Sequence, residues 1–210
     1  HILKKLGKKV AVISTVGMFI STSDELIDTG FHTTTPSAQE LFKLLSSDKL
    51  NDIDYIILET TSHSLAMGRV ALSLFDAVAV TNVTSEHLDY HKTWDNYFLA
   101  KSRLLTEHVK KDGLAVLNCN DKLSFEKLKD ICQQKQIKYI TNENLSDKII
   151  LDKEFNTWYN KDNASLAILI CQNILNQNID MDVLSDFAGV SGRMEYLQKE
   201  PFSVIVDFAH

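Results

Sequence analysis

Glu59 follows the apolar run 53–58, IDYIIL, and leads into Thr60, Thr61, Ser62 and His63. A carboxylate at the end of a buried strand suits magnesium, which takes hard oxygen donors and keeps several waters. Downstream, the stretch 82–105, NVTSEHLDYHKTWDNYFLAKSRLL, supplies His87 and His91 four residues apart, and then Lys101. Lys101 falls four residues after Tyr97, on an apolar helical stripe with Trp94, Phe98, Leu104 and Leu105. Polar groups set against a packed core need partners that offset their desolvation, and a bound metal or phosphate is one. Each has a plainer reading: a solvated strand end for Glu59, a structural imidazole for either histidine, a packed stem with its ammonium in water for Lys101. The company of Thr60–His63 favours function for Glu59, and His87 is the stronger metal candidate of the two histidines. For Lys101, periodicity leaves the snorkelling and inward readings open.

Two further groups point to anions and bases. Thr33, Thr34 and Thr35 run into Pro36 at the start of a predicted helix, where free backbone N–H groups and the helix dipole attract anions. Simple capping accounts for Thr35 as N-cap but not for Thr33 or Thr34. Arg69, one short helix beyond Glu59, offers a guanidinium to the same anion. Asn160 and Asn163, at the start of another helix, carry amides able to read an adenine edge and serve equally as caps. No GxxxxGK[ST] loop is present: Gly7-Lys8 lacks both the upstream glycine and the following Ser or Thr. Residues 1–6 read as a helix tail, so such a loop is expected immediately upstream of the chain.

The elements that position these groups alternate. Solid apolar runs predict strands at 10–14, 53–58, 75–83, 114–117, 137–140 and 202–207, with a possible hairpin in 17–30. Helices are expected at 36–45, 64–74, 93–109, 124–134, 163–176 and 181–187; 87–91 reads as a loop, and 142–155 gives little signal. This order implies an α/β fold, a mostly parallel sheet with helices on both faces. Ligands bind beyond the carboxyl ends of such strands, where Glu59, Asn82, Asn118 and Asp207 fall. With 210 residues, 44% hydrophobic and a net charge of −6, the chain is an ordinary globular sequence without the basic face that nucleic acid requires. Cys119, Cys132 and Cys171 form no CxxC pair and read as reduced thiols of a cytosolic protein. No apolar run reaches transmembrane length.

In order, these pieces resemble the central ATPase domain of the Mur ligases, in the branch that forms the muramyl tripeptide. The resemblance runs through HTTTP (32–36), ETTSHSL (59–65) with Arg69-Val70, and TNVTSEHLDYH (81–91). It continues through YFLAK (97–101), NCND (118–121), NKDN (160–163), GRME (192–195) and DFAH (207–210). It implies a P-loop NTPase-like sheet and an ATP-dependent ligase. ATP would phosphorylate the D-glutamate carboxylate of UDP-MurNAc-L-Ala-D-Glu, and an amino-acid amine would attack the acyl phosphate. It further implies Mg²⁺ at two sites held by Glu59, His87 and Lys101, the last carbamylated by CO₂. Thr34, Thr35, Thr61 and Arg69 would contact the UDP-linked substrate. Asn160, Asn163, Arg193 and Asp207 would contact the nucleotide.

The expected protein is a monomeric cytoplasmic enzyme of cell-wall synthesis. Residues 1–200 are its ATP-binding domain, taken up after the P-loop, and 201–210 the first strand of a further ligase domain; the 210 residues alone are expected to be inactive. The chain departs from the family pattern at Thr60-Thr61, where Val-Ser is common, at Met67 in place of a glutamine, and in the shortness of 142–155. Competing readings are a folylpolyglutamate synthetase-like ligase, a zinc hydrolase built on His87 and His91, and a binding module that keeps the fold without chemistry. The zinc reading lacks its motif, since Leu88 occupies the glutamate position of HExxH, and it gives Lys101 no role.

Overall fold

A computed structural model describes residues 1–30, 33–71, 73–152 and 155–208. Helix α1 (Ile2–Lys5) ends at Gly7, whose φ of 72° is open to glycine at no steric cost. Strand β1 (Val10–Ser14) then pairs with β2 (Gly17–Ile20), which pairs with β3 (Glu25–Ile27), both antiparallel, forming the hairpin region expected in 17–30. After α2 (Ala38–Leu45), strand β4 (Tyr55–Leu58) lies parallel to β1, with Ile13 opposite Leu58. The order in this sheet is β3-β2-β1-β4.

Helix α3 (Ser62–Ala66) leads to β5 (Phe75–Val80), α4 (Leu88–His91), α5 (Trp94–His108) and β6 (Val109–Leu117). Next come α6 (Phe125–Lys135), β7 (Lys138–Thr141) and the long α7 (Trp158–Leu175). β5, β6 and β7 form a second, wholly parallel sheet in that order. Strand alternation explains its two-sided burial. Val78, Val80, Ala115 and Leu117 pack on Tyr97, Phe98 and Leu105 of α5 and Leu128 and Cys132 of α6. The intervening Leu114 and Val116 meet Leu166 of α7 on the other face. The α/β class with parallel strands between helices is therefore as expected, with antiparallel strands added at one side.

Several local expectations change. The N-cap of α2 is Ser37, not Thr35: Ser37 and Glu40 make a reciprocal capping box, and Pro36 precedes it. Thr35 is instead buried, with its hydroxyl committed elsewhere. Residues 88–91 form a single helical turn rather than a loop, entered through His87 in the left-handed region (φ 56°). Helix α3 stops at Ala66, because Gly68 takes φ 66° and turns the chain. α7 starts five residues earlier than the periodicity suggested, capped by the Thr157 hydroxyl, so Asn160 and Asn163 lie within it rather than at its cap. Residues 181–186 form turns rather than a helix, with Leu184 buried against the Val10–Cys171 core. Strand β8 (Glu195–Gln198) pairs antiparallel with β9 (Val204–Val206), and the boundary expected at 200/201 falls in the turn between them. The three cysteines are free, and among the described residues no helix is long and apolar enough to cross a membrane.

Candidate active site

Glu59 leaves the end of β4, its backbone N–H still bonded to the Ile13 carbonyl at 2.9 Å. Its carboxylate oxygen Oε2 accepts from the backbone N–H and hydroxyl of Thr15 (2.9 and 3.1 Å), the residue that follows β1. The other oxygen faces the Arg193 guanidinium at 3.8 Å. Parallel pairing of β1 with β4 is what brings Thr15 beside Glu59. The predicted substrate residues gather at the same place. The Thr34 and Thr15 hydroxyls lie 3.0 Å apart, and Thr35, only 1% exposed, donates to the Glu59 carbonyl at 3.0 Å. The Thr61 N–H donates to the Thr35 hydroxyl, while the Thr61 side chain caps α3 through Ser64. Arg69 donates to the Thr35 carbonyl at 2.9 Å.

The second group surrounds Tyr97. The Lys101 ammonium lies 4.8 Å from the Tyr97 ring centroid and donates to the Asn82 carbonyl at 2.7 Å, just past the end of β5. Lys101 is thus inward and half-buried, not snorkelling away from the strand ends. Burial lowers its pKa, against the pull of Glu86 and Asp121. The same burial pushes the Tyr97 phenol up to about 12. His87 and His91 also stand against this ring, at 5.9 and 5.3 Å between centroids. His63 packs edge-on to His87 at 5.0 Å and at 5.4 Å from His91; its pKa is lowered by burial and then by the His87 charge. His91 is buried and bonds Ser62 Oγ at 3.0 Å, a structural role.

Lys101 and His87 therefore share one ring, whereas Glu59 belongs to the threonine group. The two groups are joined through α3, which begins with Ser62 and His63. Among the described residues no three of His, Cys, Asp and Glu stand together as a metal site, so the zinc pair His87–His91 has no third ligand there. Of the donors present, Glu59 Oε1 fits magnesium, a hard oxygen that already draws a cation; the Lys101 amine does not as it stands, and burial disfavours its charged form.

The four residues expected at a nucleotide meet in one place. Asn160, Asn163, Arg193 and Asp207 all line a cavity of about 770 Å³, largely apolar, between α1, α7 and the 187–194 segment. Asn160 and Asn163 are one turn apart on α7, with Ala164, Ala167 and Cys171 continuing the same face. Asp207 accepts from the Met194 N–H at 2.7 Å, and Arg193 lies over the Phe208 ring. Gly192 (φ 72°) permits this: a Cβ there would sit 2.2 Å from the Phe208 ring. His32, Ala209 and His210 of the quoted motifs lie outside the described residues.

Sequence reasoning missed Thr15, Asp121 and Asp162. Thr15 was findable, because it ends a buried strand just as Glu59 does. Asp121 accepts from the Val83 N–H at 2.8 Å and so holds the loop whose Asn82 carbonyl receives Lys101. No local pattern announces that contact across 38 residues.

The Mur ligase middle domain model matches residues 1–187. A UDP-N-acetylmuramoyl-L-alanyl-D-glutamate–2,6-diaminopimelate ligase of Bacillus velezensis is 34% identical over 244 residues, covering 100% of this chain and 48% of that protein. The UDP-N-acetylmuramyl-tripeptide synthetase of Borreliella afzelii is 30% identical, covering 100% and 46%. The chain thus spans about half the length of the curated relatives it matches. Among solved structures, a UDP-N-acetylmuramoyl-L-alanyl-D-glutamate–2,6-diaminopimelate ligase superposes with a TM-score of 0.72 at 23% identity, covering 100% of this chain and 47% of that one. A Helicobacter pylori folylpolyglutamate synthetase superposes at 0.57 and 14% identity, covering 100% and 57%, a likeness of fold alone. The chain belongs to the Mur ligase family.

Proposed function

We propose that this chain is the ATP-binding part of an amide ligase that adds the third amino acid to UDP-MurNAc-L-Ala-D-Glu. The observation that carries the reading is convergence: Asn160, Asn163, Arg193 and Asp207, drawn from two distant stretches, line one cavity, and Arg193 reaches from its rim to Glu59. The names of the relatives and the Mur ligase match support the same reaction. The folylpolyglutamate alternative shares the fold but has no support from those names.

On this reading Asn163 faces the adenine, with Asn160 beside it although its amide nitrogen donates to the Phe155 carbonyl at 3.0 Å, and Asp207 and Arg193 face the ribose and phosphates. Thr34 and Arg69 orient the UDP-linked substrate beside Glu59, while Thr35, buried with its hydroxyl bonded to the Glu59 carbonyl and the Thr61 N–H, holds that corner in place. Thr61 acts chiefly through its backbone, since its hydroxyl caps α3. Glu59, His87 and Lys101 as its carbamate would hold Mg²⁺ at two sites, which offsets the charge of the transferring phosphoryl group. The protein's contribution is position: Thr15 fixes one Glu59 oxygen, and the Asn82 carbonyl fixes the Lys101 side chain. We infer further that residues 1–200 form the ATP-binding domain, that 201–210 begin the next, and that the enzyme is a monomer in the cytoplasm, where ATP is made.

The test is substrate dependence. The full-length protein, given ATP and Mg²⁺, should release ADP only when UDP-MurNAc-L-Ala-D-Glu is present with an amino acid. 2,6-Diaminopimelate and L-lysine should be offered separately. ADP release driven by a folate substrate instead would overturn the proposal.

A further inference from the structure

A buried polar network lies beside the candidate site and has no part in the function proposed above. Three strand ends supply half of it. Asn118, just past β6, donates to the Thr81 carbonyl beyond β5 at 2.9 Å. Asn142, just past β7, donates to the Asn118 side-chain oxygen at 3.1 Å, and its own oxygen accepts from the Cys119 N–H at 2.9 Å. The first turns of α7 supply the rest. Asp162 accepts from the Asn120 amide at 2.7 Å and from the Asn118 amide at 3.4 Å, and Ser165, one turn on, lies 3.0 Å from Asn142 Nδ2. Asp162 is 4% exposed, Asn142 1% and Ser165 0%, so the contacts among Asn118, Asn142, Asp162 and Ser165 are shielded from water, while Asn120 reaches Asp162 from the surface. In such surroundings an unmade hydrogen bond is costly, and the network admits few alternative arrangements.

Helical geometry ties this network to the cavity. Residues 162 and 165 project from one side of α7, toward the strand ends. Residues 160 and 163, with 164 and 167, project from another, into the cavity. Rotation of α7 by a single residue, 100° about its axis, would take one of the two asparagines off the cavity wall, Asn160 in one sense and Asn163 in the other. Apolar packing alone resists such rotation weakly, because α7 has apolar residues on several sides. Directional bonds to a buried carboxylate resist it well.

We propose that Asp162 is a positioning residue: it sets the rotation of α7 against the ends of β5, β6 and β7, and so fixes Asn160 and Asn163 toward the nucleotide. The inference rests on the nucleotide reading of the cavity, and the experiment separates the two. Mant-ADP binding with Mg²⁺ is titrated by fluorescence on the full-length protein and on four variants. Asp162→Asn keeps the volume but sets an amide among amides. Asn120→Ala removes the closest partner from an exposed position, and it decides the matter if Asp162→Asn does not fold. Both are expected to raise Kd roughly three- to tenfold with far-UV circular dichroism unchanged. In the double variant Asp162→Asn/Asn163→Ala the two losses should combine to less than their sum in free energy, since the part of the Asp162 effect that acts through Asn163 is gone with it and only the part through Asn160 is left. A purely structural network predicts additive or absent effects. Parental Kd in folded Asp162→Asn or Asn120→Ala, beside a weakened Asn163→Ala, overturns the inference alone. Parental Kd in Asn163→Ala overturns the nucleotide reading of that asparagine and the inference with it.

Discussion

The environment of Lys101 departs from what its chemistry prefers. An ammonium keeps its charge most readily in water, yet this one is half-buried over Tyr97, held by a neutral carbonyl, and depressed in pKa by burial. No ion pair among the described residues includes it, although Glu86 and Asp121 are close enough to oppose the depression. A neutral amine is the form that adds CO₂, so the site favours the species the proposed carbamate requires. Lys101→Ala and Lys101→Arg should each lower ligase turnover by roughly 10²-fold or more, the scale of losing one electrostatic partner of the transition state. Arginine keeps the positive charge but cannot become the carbamate. If Lys101→Arg retained more than a tenth of parental turnover, the carbamate role would be gone. His91 makes the contrast at the same scale. It has the spacing of a metal ligand but is buried on the Ser62 hydroxyl, and spacing alone does not reveal that difference.

Among the elements, legibility follows burial. Strands β1, β5 and β6 were readable because both their faces are covered, which makes them unbroken apolar runs. β8 was not: Tyr196 and Leu197 are 40% and 63% exposed, so no buried face imposes a period. Residues 181–187 mislead the other way, since the apolar spacing of Met181, Leu184 and Phe187 suits a helix but is satisfied here by turns. The start of α2 falls at Ser37 rather than Thr35 because both hydroxyls are placed to cap it, and only tertiary structure takes Thr35 away to Glu59. That leaves Ser37, with Glu40 reaching back to its N–H at 2.8 Å. Ser37→Ala should destabilise the protein by about 1 kcal/mol near neutral pH, measured by urea unfolding. Hydrogen bonds from Ser37 hold the Glu40 carboxyl below its ordinary 4.5. A depressed carboxyl stabilises the fold above its unfolded pKa and ceases to as pH falls through the folded value. The gap between Ser37→Ala and the parent should therefore narrow below about pH 4.5; a gap that widened there would contradict the capping box.

At the scale of the molecule, the candidate site was legible at the ends of parallel strands, where Glu59 follows β4 and the Asn82 carbonyl beyond β5 receives Lys101, although Asn118 beyond β6 belongs to the buried network instead. It was not legible where the chain closes on itself. The cavity draws on His1 and Ile2 at one end of the chain and on Arg193 and Asp207 at the other, and the Arg193–Glu59 contact spans 134 residues. Such closure makes the nucleotide, on the proposed reading, a clasp between the core that joins α1 to α7 and the 193–207 segment, which adds no described residue to that core. A ligand at about a hundredfold over its Kd adds roughly 2.7 kcal/mol to folding stability. Saturating ADP with Mg²⁺ should accordingly raise Tm by several degrees in the full-length protein. Arg193→Ala separates the clasp from the fold. Its ion pair is exposed and 3.8 Å long, a contact that contributes about 0–1 kcal/mol, so Tm without ligand should fall by no more than about 4 °C. The ADP-induced rise, by contrast, should largely vanish, because the guanidinium is lost from the cavity wall. A variant that lost stability but kept the full nucleotide shift would assign Arg193 to the fold and leave the phosphates to other residues.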